Sequence, residues 1–224
     1  MSLRLVIFDV DGTLVDSQGD IMSSMQAAFA GEGLNLPDRA TVLSIVGLSL
    51  PMAMAELAPA QPEPVRTRMV ETYKESYAAL RKQNGAGSSP LYPGALEAIE
   101  TLHAQPETLL GIATGKSKRG LDALLDSHGL GHMFVTQQVA DFHPSKPHPA
   151  MIHAALSGLG IAPLNAVMVG DTRFDMEMAQ AAGVPFVGVG WGYHAPATLT
   201  GAAQVIDDFA ALPAAIDRIL GETT

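Results

Sequence analysis

The sequence predicts an α/β fold: a parallel sheet core with helices on both faces, and an all-helical unit inserted after the first strand. Three observations carry that prediction. Short apolar runs alternate with segments of helical periodicity, the pattern of a parallel sheet covered on both sides. The first run, Leu5 to Phe8, is apolar without a break, as a strand buried on both faces requires. About 100 residues then separate it from the second run at Thr108, although a βαβ unit needs only about 30.

Strand one ends near Asp9, and Gly12 permits the sharp turn that follows. From Ser17 to Gly33, Ile21, Met22, Met25, Ala28 and Phe29 fall at helical spacing. Asp38 suits the N-cap of a short helix through Val46, which Gly47 breaks. Pro51 fits the first turn of the next helix, to about Ala58. Val65, Met69, Tyr73, Tyr77 and Leu80 mark one face of a longer helix, and Asn84 to Pro90 reads as a Gly/Ser-rich linker.

Beyond the linker, the pattern predicts helices at Ala95–Ala104, Leu121–His128, Pro147–Leu159, Arg173–Ala182 and Leu212–Leu220. Strands are predicted at Thr108–Ala113, Met133–Gln137, Ala166–Val169 and Pro185–Val189, with a short sixth at Val205-Ile206. The helix at Ala95 is enough by itself to cross back to strand two. The reading is a Rossmann-like core, residues 1–16 and 89–224, with a helical cap domain, 17–88. An insertion entering beside Asp9 and Asp11 is placed to act as a lid.

The bulk numbers narrow the function. A net charge of −10 argues against nonspecific nucleic-acid binding and a polybasic membrane contact. The absence of cysteine excludes disulfides, zinc–thiolate sites and a Cys nucleophile. No apolar run reaches the roughly 18 residues of a membrane helix, and no signal-peptide pattern precedes strand one. A cytoplasmic protein, monomeric or homodimeric, is the expectation.

Polar residues at the C-terminal ends of the strands are the candidates for chemistry, because open parallel sheets bind ligands there. Strand one delivers Asp9 and Asp11, strand two Thr114-Gly115-Lys116-Ser117, and strand four Gly170-Asp171-Thr172, with Asp175 one helical turn on. Lys146 lies between strands three and four. Four carboxylates at one mouth call for a cation, and a hard divalent ion with oxygen ligands, Mg2+ first, suits them. Thr114, the N–H groups around Gly115 and Lys146 form an anion cradle. Metal, cradle and a spare carboxylate together suggest phosphoryl transfer.

These residues carry a resemblance. The chain resembles the haloacid dehalogenase-like hydrolase superfamily, in its members with a helical cap after the first motif. The motif D-x-D-G-T matches Asp9 to Thr13, the Ser/Thr after an apolar strand matches Thr114, the Lys often followed by Pro matches Lys146, and G-D-x-x-x-D matches Gly170 to Asp175. The resemblance implies that Asp9 is the nucleophile and Asp11 the acid and base. It implies that Asp9, Asp11 (through its backbone carbonyl), Asp171 and Asp175 hold Mg2+, and that Thr114, Gly115 and Lys146 hold the phosphoryl oxygens.

Plainer readings stand beside these. Lys146 alone would read as a surface lysine, and Asp171 as a helix cap. His143, His148 and His153 are spaced five apart, which does not stack them on a helix face, so they read as structural or solvated. Asp16 and Ser17 begin the cap with no catalytic role. Trp191 to His194 is either a wall of the cleft or ordinary loop packing.

The candidate specificity loop, Val46 to Leu50, has no Lys or Arg to grip a second phosphate. The cap lysines Lys74 and Lys82 match a Schiff-base role poorly. The implied activity is a phosphatase for a small phosphorylated metabolite, phosphoglycolate being one candidate. The alternatives are a sugar-phosphate mutase, nucleotidase or pyrophosphatase of the same superfamily, or a catalytically idle scaffold.

Overall fold

The computed structural model describes residues 3–221. Met1, Ser2 and residues 222–224, which the division above assigns to the core, lie outside the described residues. The elements run β1 (Arg4–Phe8), α1 (Gln18–Gly31), α2 (Arg39–Leu43), α3 (Leu50–Leu57), α4 (Glu63–Asn84), α5 (Ala95–His103), β2 (Thr108–Thr114), α6 (Lys118–His128), β3 (Phe134–Val139), α7 (Ala150–Leu159), β4 (Ala166–Gly170), α8 (Arg173–Ala181), β5 (Phe186–Val189), β6 (Gln204–Ile206) and α9 (Leu212–Leu220).

The six strands pair in parallel in the order β3-β2-β1-β4-β5-β6. Alternate residues of β1 face opposite ways, as the two-residue strand period dictates. Val6 and Phe8 join a core with α5, α6 and α9, while Leu5 and Ile7 join a second core with α7 and α8. The unbroken apolar character of β1 follows from being covered on both sides. Helices α1 to α4 build a third cluster of their own, around Met25, Phe29, Met54, Met69 and Tyr77. No helix among the described residues is long and apolar enough to cross a membrane.

Several boundaries differ from the sequence reading. Helix α6 starts at Lys118 rather than Leu121, behind the Ser117 N-cap, and β3 runs Phe134–Val139 rather than Met133–Gln137. Three further differences have a local reason. Helix α2 ends at Leu43 rather than Val46, with Ser44 as its C-cap, because the chain already turns there: the Val46 N–H donates back to the Leu43 carbonyl at 3.2 Å. Helix α7 starts at Ala150 rather than Pro147, since the residue before Pro149 is steered away from helical dihedrals. The predicted linker is partly ordered: α4 runs to Asn84, and Gly85–Ser88 forms a 3-10 turn.

Candidate active site

The strand order reverses around β1, whose neighbours are β2 and β4. At such a switch point the loops leave the sheet in opposite directions and open a crevice. Asp9 stands there. Its backbone N–H donates to the Val169 carbonyl at 2.9 Å, which keeps it in line with β4. The chain then turns at Gly12, φ +81°, where a Cβ would collide with the Asp171 carboxylate.

Asp171 follows β4 and is held from two sides. Thr13 Oγ1 donates to its Oδ1 at 3.0 Å, and the Tyr193 N–H donates to its Oδ2 at 2.8 Å. Asp175 sits in the first turn of α8, locked by a capping box. Thr172 Oγ1 donates to Asp175 Oδ2 at 2.7 Å and accepts from the Asp175 N–H at 3.2 Å. One carboxylate oxygen from each of Asp9, Asp171 and Asp175 falls within 4.8 Å of the others, and all three side chains are buried.

Lys146 Nζ lies between them, 2.6 Å from Asp175 Oδ1 and 2.8 Å from Asp9 Oδ1. The Asp9 approach is an ion pair outside hydrogen-bond directions, so both Asp9 oxygens are buried without a hydrogen-bond partner. Burial opposes the charge of Lys146, but Asp175 and Asp9 outweigh it and hold its pKa above the usual lysine value. Burial pushes Asp9 up to about 7, Lys146 pulling against it and Asp175 adding to it. Burial also raises Asp171 well above the carboxylate range, helped by the charges of Asp175 and Asp9. Three buried carboxylates, one with neither oxygen hydrogen-bonded, fit a hard divalent cation.

Asp11 does not join that cluster with its side chain. Its Oδ1 accepts from Ser17 Oγ and from Lys116 Nζ, the latter at 2.6 Å. Lys116 Nζ also donates to Tyr77 OH on α4 at 3.0 Å. Thr114 is buried at the end of β2, beside Gly115. A Cβ on Gly115 would stand 2.7 Å from the Gly47 carbonyl oxygen and 2.8 Å from that of Leu48, so the helical segment presses on the β2–α6 loop.

Four further contacts matter here. The Ser49 N–H donates to Ser145 Oγ at 2.8 Å, beside Lys146, and Arg81 Nη1 donates to the Gly120 carbonyl at 2.9 Å. His194 Nε2 meets the Ser44 carbonyl at 3.0 Å, and the Arg173 N–H donates to its Nδ1 at 3.2 Å. Between helical segment and sheet lies a cavity of about 640 Å³, with Asp9, Asp11 and Thr114 on the sheet side and Met25, Leu48 and Tyr73 opposite.

Sequence reasoning brought Asp9, Asp11, Thr114, Gly115, Lys146, Asp171 and Asp175 to one mouth, and they are there together. It missed Ser17, Lys116, Thr172 and Tyr193 as partners of those residues. Lys116 had a signal, standing two residues past Thr114. Tyr193 had almost none, because only the packing of its loop shows that its N–H meets Asp171. Lys74 and Lys82, set aside above, line the cavity. His143 pairs with Gln138 at 2.7 Å.

The doubly wound sheet carries a buried carboxylate cluster and a buried lysine at its switch point, the place where open α/β sheets bind ligands. The chain belongs to the haloacid dehalogenase-like hydrolase family, whose model matches residues 6–189. It is 34% identical over 222 residues to a probable phosphatase, IndB, of Dickeya dadantii, covering 96% of this chain and 94% of the relative. It is 32% identical to a phosphoglycolate phosphatase of Haemophilus influenzae, covering 93% and 96%. Among solved structures, a predicted phosphoglycolate phosphatase from Haemophilus somnus superposes with a TM-score of 0.84 at 26% identity, covering 96% of this chain and 98% of the other.

Proposed function

We propose that this chain is a Mg2+-dependent phosphatase that hydrolyses a small phosphate monoester through a phosphoaspartate on Asp9. Phosphoglycolate is the first candidate substrate, supported by the names of several relatives. The observation that carries the reading is Asp9 itself: buried, free of hydrogen bonds at both oxygens, and lining the cavity.

An Asp9 oxygen attacks phosphorus, the P–O bond to the leaving group breaks, and Asp11 gives the leaving oxygen a proton. Water then attacks phosphorus, Asp11 takes its proton, and the bond from phosphorus to the Asp9 oxygen breaks, returning the Asp9 carboxylate and releasing inorganic phosphate. Thr114, the N–H groups near Gly115 and Lys146 hold the phosphoryl oxygens. Asp9, Asp171, Asp175 and the Asp11 carbonyl would hold Mg2+, which supplies positive charge against the phosphoryl group. Residues 17–88 serve as a cap over the core formed by 1–16 and 89–224, excluding water while the ester is cleaved.

The test is phosphate release from a panel of monoesters with Mg2+ or EDTA, for the native chain and Asp9→Asn. Release that needs Mg2+ and disappears in Asp9→Asn is the expected result. No release from any ester, or full activity in the variant, overturns the reading.

A further inference from the structure

The cavity has one apolar side, and that side stands over the reacting carboxylate. Asp9 is 1% exposed and lines the cavity, so the leaving group of a phosphoryl held at Asp9 extends into that space. Loop 46–50 roofs it and is anchored around Asp9 on three sides. A Cβ on Gly115, past β2, would stand 2.7 Å from the Gly47 carbonyl oxygen. A Cβ on Gly47 would stand 3.1 Å from Thr172 Oγ1, past β4. The Ser49 N–H donates to Ser145 Oγ at 2.8 Å, next to Lys146. Leu48 lies between these anchors and lines the cavity. From Ile21 to Ala53, Ser49 is the one polar residue among the described lining residues. Tyr73 extends the wall, stacked on Tyr77 with ring centroids 5.8 Å apart.

We propose that this site prefers phosphate monoesters whose leaving group carries an apolar body, an alkyl chain or an aryl ring, and that Leu48 selects it. The proposal rests on the reading of Asp9 as phosphoryl acceptor. It ranks the esters of that same site, and it sets an apolar body above the two-carbon acid of phosphoglycolate.

Size supports it. The cavity of about 640 Å³ has room for about twenty waters at roughly 30 Å³ each. Clefts of about 300–1,000 Å³ hold ligands of drug size, so a two-carbon ester would leave most of this one to water. The volume is not that of an open cleft, because loop 46–50 already touches the core at Gly115 and Ser145. Chemistry supports it too. Water against Leu48, Met25 and Ile45 is released when an apolar group covers them, which favours binding in proportion to the area covered. A carboxylate against the same wall would lose hydration with no donor to replace it. The basic residues do not reverse this: Lys116 is engaged by Asp11 and Tyr77, and Lys74, Lys82 and Arg119 are exposed to solvent.

Methyl-, propyl- and pentylphosphonate test this on the native protein with Mg2+, since their C–P bonds resist hydrolysis. Binding is measured by calorimetry and checked for competition with inorganic phosphate. Affinity should rise about twofold to fourfold per added methylene, the upper figure being full burial of each. Leu48→Ala should weaken pentylphosphonate about tenfold and methylphosphonate less than about twofold. The native kcat/KM for pentyl phosphate should exceed that for phosphoglycolate.

Affinity that does not change with chain length overturns the proposal, whether or not the variant folds. So does a kcat/KM for phosphoglycolate above that for pentyl phosphate. An equal loss for both phosphonates in Leu48→Ala overturns the role of Leu48. Ester hydrolysis without any chain-length effect overturns the apolar site and leaves the phosphatase reading standing. Chain-length dependence in a protein that hydrolyses no ester supports the apolar site and overturns the phosphatase reading instead.

Discussion

Lys146 and Asp175 form an ion pair closed to solvent, with Nζ 2.6 Å from Oδ1, although 29 residues separate them in the chain. Asp9 lies on the other side of the same ammonium. One cation therefore balances part of a buried cluster that would otherwise hold three carboxylates alone.

Lys146→Met should accordingly cost about 3–5 kcal/mol of stability without metal, the usual result of removing one partner of a buried pair. Mg2+ should restore part of the loss by replacing the missing charge, while phosphate release stays low. Urea unfolding with and without Mg2+ measures both effects. Unchanged stability in EDTA would show that the cluster does not depend on the lysine.

The raised pKa values give the metal a pH dependence. Asp9 is lifted from 3.8 to about 7, so without metal its ionisation costs stability progressively as pH rises through that window. Bound cations oppose this and compete with protons. The rise in Tm caused by Mg2+ should therefore be larger at about pH 8 than at about pH 5.5. Asp171→Asn should remove most of the rise at either pH. A Mg2+ shift independent of pH would count against these carboxylates as ligands.

Gly115 stands where backbone meets backbone. The Cβ of Gly115→Ala would fall 2.7 Å from the Gly47 carbonyl oxygen and 2.8 Å from that of Leu48, closer than real Cβ contacts come. Neither carbonyl can rotate aside as a long side chain could. The variant should hold the helical segment away from the sheet, lowering kcat/KM by about tenfold or more, since small misplacements are costly in catalysis, with Tm little changed. Steady-state kinetics beside a melting curve separate this outcome from simple unfolding.

His194 ties the helical segment to the core as a neutral ring, accepting from the Arg173 N–H while its Nε2 faces the Ser44 carbonyl. Burial lowers its pKa below 6.5, against the pull of Ser44 and Asp175. A lowered histidine pKa means that the unfolded chain binds the proton more readily. Its stabilising contribution is thus complete above about pH 6.5 and fades as pH falls below it. The Tm difference between the native chain and His194→Gln should shrink below that point. A difference constant across the range would show that the ring's protonation state is immaterial.

Much of the fold was legible because its signals are local. Unbroken apolar runs such as Leu5 to Phe8 announce strands covered on both faces, and the excess chain before Thr108 announces the helical insertion. The errors were local too. Pro149 shortened α7, and a turn from Leu43 to Val46 shortened α2. The core of the site was legible because a parallel strand delivers the residues just past its C-terminal end to one edge, whichever strands are neighbours. Hence Asp9, Thr114 and Asp171 could be grouped without knowing the sheet order.

What the sequence by itself determined is which side chains arrive at the mouth. Tertiary structure alone decided how they pair. Lys116 meets Asp11 across 105 residues, and the Tyr193 N–H meets Asp171 across 22. The order β3-β2-β1-β4-β5-β6 was likewise set by packing. Strand formation depends on residues adjacent in the chain, whereas the partner of a buried charge depends on which distant loop reaches it first, and no periodicity encodes that distance.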